Sequence, residues 1–259
     1  MEAKSLTRKE IDTLAARLDE AQLQVLDTPS LADDVEVHID DAYRVQEALV
    51  GRQLDRGQTL VGVKLGFTSK AKMAQMGVSD VIVGRLTDAM RVDNGGRFDL
   101  SRFIHPKIEP EVAYRLMQDI DLDDPGVDVE TCVDAVAPAM EIIDSRYRDF
   151  RFTYTDVVAD NTSAAAFVIG PWQSMRSVGD LSVRLEAGGQ SVDGSTAAIL
   201  DDPVNALHAL LDVCRRRRIP LRAGDVVLAG AATAAIPLAA GAARCDIDGL
   251  GSVTAEVSS

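Results

Sequence analysis

The chain has 259 residues, of which 46% are hydrophobic and only 4% aromatic, so it suits one large domain, or one domain plus a cap, with an aliphatic core. Its formal net charge of −14 argues against nucleic acid or an anionic membrane as a partner, because both attract positively charged surfaces. The N-terminus lacks a signal-peptide pattern, and no apolar run is long enough for a spanning helix, so we expect a cytoplasmic protein.

The first quarter of the chain predicts helices followed by one buried strand. A capping box that begins at Thr7 precedes apolar residues at helical spacing, which predicts an amphipathic helix. A second helix is predicted over about 41–56. Residues 59–66 predict a buried strand that carries Lys64, and a short helix is predicted over 70–76.

From about residue 81 the chain has the pattern of a β-rich protein. Short apolar runs alternate with turns rich in Asp, Asn and Gly. The predicted strands are 104–116, 164–169, 181–186, 225–229 and 252–257. One late helix is predicted over 203–218. We therefore predict an α+β protein with an N-terminal α/β cap region, residues 1–75, and a C-terminal β-rich catalytic domain, residues 76–259.

Two glutamates separated by one proline give the strongest functional signal. Glu109 and Glu111 lie in an apolar strand-like segment, and alternate side chains of a strand point to the same face. Adjacent carboxylates repel each other, and a divalent cation bound by their oxygens removes that conflict. Glu141 is a third acid inside an apolar run, where burial without a partner is costly. The three acids suit Mg²⁺ or Mn²⁺; the alternative is a polar edge strand with solvated acids, which is consistent with Pro110.

Several other polar residues are weaker candidates. Lys64 is either a cation that lines a carboxylate-rich site or a strand-end lysine that reaches solvent. The polar clusters 144–147 and 159–163 are candidates too, although Asp, Asn and Ser also favour ordinary turns. His105, directly before the carboxylate strand, suits either support of the site or a purely structural role. The basic run 215–218 is expected at a helix C-terminus, where cations interact favourably with the helix dipole.

Five segments together carry a family resemblance that covers nearly the whole chain. They are Val61-Gly-Val-Lys-Leu-Gly-Phe-Thr-Ser, His105-Pro-Lys-Ile-Glu-Pro-Glu, Glu141-Ile-Ile-Asp-Ser-Arg, Val158-Ala-Asp-Asn-Thr-Ser and Gly249-Leu-Gly-Ser-Val. In order and spacing they resemble the 2-oxopent-4-enoate hydratase/4-oxalocrotonate decarboxylase group of the fumarylacetoacetate hydrolase superfamily. The resemblance implies a twisted β-roll preceded by a small N-terminal α/β region. It also implies Mg²⁺ or Mn²⁺ bound by Glu109, Glu111 and Glu141, and a catalytic lysine at Lys64.

One position separates the two activities of this group. Hydratase relatives tend to have an acid two places before the glycine that matches Gly84, where this chain has Ile82. A hydratase needs an acid or base to deliver water, whereas a decarboxylase does not have to activate water. Ile82 therefore favours decarboxylation, although Asp80 lies close by in sequence and is an alternative acid. The chain also departs from many relatives at residues 201–202 and at Ala229, two stretches that are expected near the site.

The resemblance implies a Mg²⁺-dependent carbon–carbon lyase of meta-cleavage aromatic catabolism. Its expected reaction converts 2-oxo-3-hexenedioate (4-oxalocrotonate) into 2-oxopent-4-enoate (2-hydroxypenta-2,4-dienoate) and CO₂. Lys64 is expected to stabilise the developing enolate charge. The expected substrate-binding residues are Lys72, Lys107, Arg146, Asp160 and Ser163, of which the first three are alternatives for holding the distal carboxylate.

Two alternatives to decarboxylation remain open at this point. The first is the hydratase reaction on 2-oxopent-4-enoate. The second is a non-catalytic subunit that stabilises a partner hydratase, because decarboxylases of this family associate with the hydratase that takes their product. The complete set of three glutamates argues against a purely structural role. Expected partners are a small anionic 2-oxo acid, further copies of the chain in a homo-oligomer, and such a hydratase.

Overall fold

A computed structural model describes residues 5–69, 73, 77 and 80–259, so Lys72 and most of the predicted helix 70–76 lie outside the described residues. Helix α1 (Arg8–Gln24) begins at the predicted capping box, in which the Thr7 hydroxyl accepts from the Glu10 N–H. Helix α2 (Ile39–Asp55) packs against α1 through a shared apolar cluster. Both predicted helices are therefore confirmed.

Two sheets and two further α-helices are the main elements of the rest of the described chain. The strands are β1 (Leu60–Gly66), β2 (Ile82–Thr87), β3 (Arg91–Val92), β4 (Arg97–Asp99), β5 (Lys107–Leu116), β6 (Val133–Ile143), β7 (Ala164–Ile169), β8 (Gln173–Ser174), β9 (Ser182–Ala187), β10 (Gln190–Ser195), β11 (Val226–Ala231), β12 (Ile236–Pro237), β13 (Gly241–Ile247) and β14 (Gly251–Ser258). The helices are α3 (Tyr154–Ala159) and α4 (Pro203–Arg217). Nine strands form one sheet in the order β2-β1-β11-β5-β6-β7-β3, with β12 beside β5 and β8 beside β6. The other sheet has the order β10-β9-β13-β14-β4.

The two faces of the nine-stranded sheet have different surroundings. Outward-facing residues such as Val112 and Met140 join one large core with the inner face of the five-stranded sheet and with α4. Inward-facing residues such as Ala113, Ala139 and Leu228 belong to a separate apolar cluster, which on strands β5 and β6 consists of the alanines Ala113, Ala137 and Ala139. The small side chains on β5 and β6 leave room beside the polar residues described below.

The predicted strands and the late helix are found, and their ends differ from the predicted ones by at most three residues. Of the longer strands, β2, β6, β10 and β13 were not predicted. Both faces of β6 are buried and its residues 135–140 are apolar without a break, so the sequence there shows no alternation. The predicted division at residue 75 stays a prediction. Strand β1, which precedes it, pairs with both β2 and β11, which follow it.

The basic run at the end of α4 contacts several distant segments. Arg217 pairs with Asp40 of α2, Arg216 pairs with Asp80, and Arg218 pairs with Asp123. The run lies at the helix C-terminus, as predicted. In the described part of the chain, no helix is long and apolar enough to cross a membrane.

Candidate active site

Three glutamates converge on the inner face of the large sheet. Glu109 is the register partner of Glu141 in the antiparallel β5–β6 pair, and Glu111 follows two residues along β5, so all three side chains share one face. One carboxylate oxygen from each lies within 4.8 Å of the others. Their exposures are 4% for Glu109 and 0% for the other two. The alternative of a solvated edge strand is therefore wrong, since β5 lies between β11 and β6.

Pro110 is accommodated inside the sheet by an irregularity in the neighbouring strand. Its carbonyl accepts from the Ala232 N–H, so its N atom faces β11 as well. The β11–β5 register shifts within residues 228–231, and proline therefore removes no regular ladder bond there. The same irregularity turns the Gly230 N–H toward Glu111, whose Oε2 accepts it.

Glu111 has the electrostatic character of a metal ligand. Burial and the neighbouring Glu141 carboxylate raise the pKa of Glu111 well above its usual value, and Lys64 partly opposes this rise. Its Oε1 is buried and accepts no hydrogen bond from the described residues. A buried carboxylate oxygen in that condition favours binding of a proton or a cation. Three carboxylates are a donor set that fits Mg²⁺ or Mn²⁺.

The curl of the large sheet brings Lys64 to the acids. Strands β1 and β6 are separated by β11 and β5, which is about 14 Å in a flat sheet, yet Lys64 Nζ lies 2.9 Å from Glu141 Oε2. Its Nζ also donates to the Thr162 carbonyl at 3.3 Å. Gly84 makes room for the lysine stem, because a Cβ there would lie 3.1 Å from Lys64 Cδ. Lys64 is 3% exposed, so the alternative of a lysine that reaches solvent is wrong.

A cavity of about 620 Å³ opens beside this cluster. Its charged and hydroxyl-bearing lining residues are Lys64, Thr68, Lys107, Glu109, Arg151, Thr162 and Ser163. Ile82 contributes apolar wall and is almost fully buried. Asp80 does not line this cavity, and its carboxylate is paired with Arg216. Ile82, the residue expected to separate hydratases from decarboxylases, thus lies in the wall, whereas Asp80, the alternative acid, pairs with Arg216 outside it.

The predicted substrate-binding residues divide into two groups. Lys107 and Ser163 line the cavity. Arg146 and Asp160 do not; they form a buried ion pair, and the Arg146 guanidinium also donates to the carbonyls of Asp144 and Ala164 at 3.0 and 3.1 Å. Burial raises the pKa of Asp160 from 3.8 to about 6, although Arg146 acts in the opposite direction. Their role in substrate binding stays a prediction, and so does that of Lys72.

Sequence reasoning missed Arg151, which lines the cavity and is exposed to solvent. The preceding residues, Asp149 and Phe150, have left-handed backbone angles, with φ of 57° and 54°. A positive φ at an aromatic residue is uncommon and is found where packing imposes it. The sequence pattern that could have identified Arg151 is the run Phe150-Arg151-Phe152, in which two aromatic residues flank a cation. All three residues line the cavity.

His105 supports this wall of the cavity. Its Nε2 lies 2.7 Å from the Ser145 carbonyl, and its ring centroid lies 4.7 Å from that of Phe150. Lys107 Nζ lies 4.0 Å from the centroid of the same phenylalanine ring. His105 therefore positions an aromatic ring on which a cavity cation rests, and its hydrogen bond is to main chain.

The stretches with the expected departures from relatives, Asp201-Asp202 and Ala229, lie next to residues of the site. Asp202 caps α4 by accepting the Val204 N–H. The Leu200 N–H donates to the carbonyl of Thr68, a cavity-lining residue. Ala229 is fully buried on the outer face, next to the glycine that binds Glu111. Neither Asp202 nor Ala229 lines the cavity.

Comparisons with known proteins agree with this architecture. The fumarylacetoacetate (FAA) hydrolase C-terminal family matches residues 68–258. A 4-oxalocrotonate decarboxylase from Pseudomonas sp. is 45% identical over 247 residues, which cover 94% of this chain and 96% of the relative. A 2-keto-4-pentenoate hydratase from Paraburkholderia xenovorans (strain LB400) is 35% identical over 86% of each chain.

Solved structures give the same result. The 4-oxalocrotonate decarboxylase from Pseudomonas putida G7, complexed with magnesium and adipate, matches with a TM-score of 0.93 and 38% identity over 99% of this chain and 100% of that one. The same enzyme complexed with calcium and acetate matches with a TM-score of 0.92 and 37% identity over the same shares. These matches confirm the predicted fold class and the predicted resemblance. The chain belongs to the fumarylacetoacetate hydrolase family.

Proposed function

We propose that the protein is a metal-dependent decarboxylase of 2-oxo-3-hexenedioate (4-oxalocrotonate) that releases CO₂ and 2-oxopent-4-enoate. The observation that carries the proposal is the convergence of three buried glutamates and Lys64 beside a cavity with an apolar wall at Ile82. Relatives at 45%, 39% and 38% identity are named 4-oxalocrotonate decarboxylase. Because the substrate is a product of aromatic ring cleavage, we place the protein in meta-cleavage aromatic catabolism.

Glu109, Glu111 and Glu141 would hold Mg²⁺ or Mn²⁺. Support comes from the buried Oε1 of Glu111 and its raised pKa, and from the magnesium bound by the Pseudomonas putida G7 relative. A bound ion of this kind supplies a Lewis acid for the 2-oxo acid end of the substrate.

Lys64 would stabilise the charge that develops on the 2-oxo oxygen. When the bond to the distal carboxylate breaks, its electron pair passes through the conjugated enone to that oxygen, and CO₂ leaves. Lys64 is buried, and a fixed positive charge away from water stabilises a developing negative charge more strongly than it would in water. Its Nζ is held between Glu141 Oε2 and the Thr162 carbonyl, which sets its position before substrate arrives.

Lys107 and Arg151 are the described cavity cations, other than Lys64, that could hold the distal carboxylate. Arg151 offers a planar donor pair that matches a carboxylate. Lys107 rests on the Phe150 ring at the cavity wall. Lys72 and Arg146 stay predictions for this role, as Asp160 and Ser163 do for other substrate contacts.

Ile82 favours decarboxylation over hydration. Its side chain forms part of the cavity wall, and an apolar side chain there cannot transfer a proton to or from water. Asp80, the alternative acid, is held by Arg216 outside the cavity. The hydratase reaction remains the second candidate, because relatives at 35–38% identity carry that name.

The cellular context follows from the same proposal. We propose a cytoplasmic homo-oligomer, and an association with a 2-oxopent-4-enoate hydratase that consumes the product. A non-catalytic role within such an assembly is disfavoured by the complete glutamate set and the open cavity.

The decisive experiment compares two substrates with Mg²⁺ present. The purified protein is incubated with 2-oxo-3-hexenedioate and, separately, with 2-oxopent-4-enoate, and CO₂ and hydrated product are measured. We expect CO₂ from the first substrate and no hydration of the second. The variant Glu111→Gln serves as the inactive control. Efficient hydration without CO₂ release would contradict the proposal, and Asp80 would then be the candidate acid for hydration.

A further inference from the structure

We propose that Asn161 is a positioning residue for Lys64. Its side-chain amide fixes a left-handed turn, residues 161–163, and the Thr162 carbonyl of that turn receives the Lys64 ammonium. The inference rests on the proposed catalytic role of Lys64. The side-chain amide of Asn161 is buried, and it neither lines the cavity nor belongs to the cluster of three glutamates.

The turn has an unfavourable backbone conformation that the surroundings must maintain. Asn161, Thr162 and Ser163 have φ values of 48°, 57° and 57°. Asparagine adopts the left-handed region readily, but a β-branched threonine there is an outlier with an energetic cost. Three successive residues of this kind persist only where other contacts determine the conformation.

The Asn161 amide supplies such contacts by binding the free edge of β2. Its Oδ1 accepts from the Arg85 N–H at 2.7 Å, and its Nδ2 donates to the Arg85 carbonyl at 2.9 Å. Strand β2 lies at the end of the sheet order, so these two main-chain groups face away from β1. The amide therefore takes the place of a neighbouring strand, and it is 1% exposed.

Two glycines let the turn lie directly on the sheet. A Cβ on Gly84 would approach the Asn161 carbonyl oxygen to 2.7 Å and Thr162 Cβ to 3.1 Å. A Cβ on Gly66 would approach Thr162 Cγ2 to 2.7 Å. The turn thus lies over two positions without side chains, beside Lys64 and Ile82, and the Asn161 amide attaches it to β2.

The position of Lys64 depends on this attachment. Its ammonium contacts Glu141 Oε2 at 2.9 Å on one side and the Thr162 carbonyl at 3.3 Å on the other. If the turn shifts, the second contact weakens and the ammonium is no longer held at its present position. A catalytic charge displaced by about 1 Å costs up to about 100-fold in rate. Binding of metal by the glutamates does not require the turn.

The experiment removes the side-chain amide of Asn161 while the left-handed backbone conformation stays accessible. Asn161→Gly keeps the left-handed conformation accessible and deletes both hydrogen bonds to Arg85. We expect kcat to fall about 10- to 100-fold, with KM and Mg²⁺ affinity within about threefold of wild type. Asn161→Asp retains the acceptor for the Arg85 N–H, so it should recover part of the loss. If Asn161→Gly does not fold, the test compares kcat of Asn161→Asp with that of the wild type, and a partial loss is expected.

Two matched variants control for general effects. Arg85→Met changes the side chain but keeps the main-chain groups that Asn161 binds, so kcat should stay at the wild-type value. Asn94→Gly removes an exposed asparagine whose Oδ1 also accepts a main-chain N–H, that of Thr254 at 2.9 Å, and should likewise leave kcat unchanged.

A readout without turnover separates this inference from the proposed function. In a crystal structure of Asn161→Gly, Lys64 Nζ should move away from the Thr162 carbonyl by about 1 Å or more. Wild-type kcat in Asn161→Gly, or an unmoved Nζ, would overturn the inference. If the wild type releases no CO₂ but Nζ moves as expected, the positioning role stands and the proposed reaction fails.

Discussion

Lys64 Nζ and Glu141 Oε2 lie 2.9 Å apart in a nearly solvent-free site, although two strands separate β1 from β6 in the sheet order. A buried ion pair is costly to desolvate, and removal of one partner leaves the other charge uncompensated. The pair also joins the proposed catalytic cation to one of the proposed metal ligands. Changes at either residue should therefore have separable effects on turnover and on metal binding.

Lys64→Met should lower kcat by about 100- to 1,000-fold, because the charge of Lys64 is needed as the enolate forms. Mg²⁺ affinity should stay the same or increase, since a cation beside the glutamates has been removed. Steady-state kinetics and a Mg²⁺ titration measure the two effects. The exposed lysine of α1, changed in Lys9→Met, is the control. A rise in KM alone would mean that Lys64 only binds substrate.

Divalent metal should stabilise the folded protein. A ligand at 100 times its Kd adds about 2.7 kcal/mol when it binds only the folded state. Saturating Mg²⁺ should therefore raise the melting temperature, and Glu111→Gln should abolish most of that rise. Glu130→Gln, which removes an exposed acid bound to His208, should leave the rise intact. An equal rise in all three proteins would place the metal elsewhere.

In the metal-free protein, the contribution of Glu111 to stability should fall as pH increases. The pKa of Glu111 is raised by burial and by Glu141, so the folded state binds its proton more tightly than the unfolded chain. The stability that this group contributes is present below its ordinary pKa of 4.5 and is lost as pH rises through the raised folded value. Melting temperatures of wild type and Glu111→Gln between pH 5 and 8 test this, because the variant should lack this component. A wild-type melting temperature that rises more steeply with pH than that of Glu111→Gln would contradict it.

Asp160→Asn should show an acid-dependent destabilisation. The pKa of Asp160 rises from 3.8 to about 6 on folding, so its contribution to stability falls as pH rises between those values. A shift of about two units corresponds to roughly 3 kcal/mol. The loss of stability in the variant, measured by urea unfolding, should therefore be larger at pH 4.5 than at pH 7. The opposite trend would show that Arg146 outweighs burial.

Arg151→Met and Lys107→Met should weaken binding of dicarboxylates selectively. Adipate has a second carboxylate that can contact a cavity cation, whereas acetate does not, and both were bound by the Pseudomonas putida G7 relative. Loss of a charged hydrogen-bond donor of this kind costs about 1.5–3 kcal/mol, or about 10- to 100-fold in the inhibition constant of adipate. The inhibition constant of acetate should not change. Equal weakening of both ligands would mean that neither cation holds the distal carboxylate.

Ile82→Asp should introduce slight hydration of 2-oxopent-4-enoate and lower stability. A carboxylate at this buried position lacks its usual solvation, but it lies in the cavity wall where it can act on water. One substitution rarely rebuilds a complete site, so the new activity should be small. Ile82→Asn has nearly the same shape without the acid and should show none. Equal hydration by Ile82→Asp and Ile82→Asn would show that the carboxylate does not cause the new activity.

Local patterns in the sequence predicted helices α1, α2 and α4 and six of the strands, because a capping box or a regular apolar period depends on neighbouring residues. They did not predict β6, whose continuous apolar run contains Pro138 and is buried on both faces. The same limit applies to the glutamates. Glu109 and Glu111 share a face by alternation, but Glu141 joins them only through the β5–β6 register, and a slip of one residue would turn it away.

The sequence by itself determined that three acids and one lysine stand in apolar strands, and that an apolar residue replaces the acid of hydratases. Only the tertiary structure decided that Lys64 reaches Glu141 and that Arg151 lines the cavity. It also decided that Arg146 and Asp160 bind each other, and that Asp80 points away. The physical reason is that these contacts depend on the curl of the sheet and on left-handed backbone segments. Packing between distant parts of the chain imposes both.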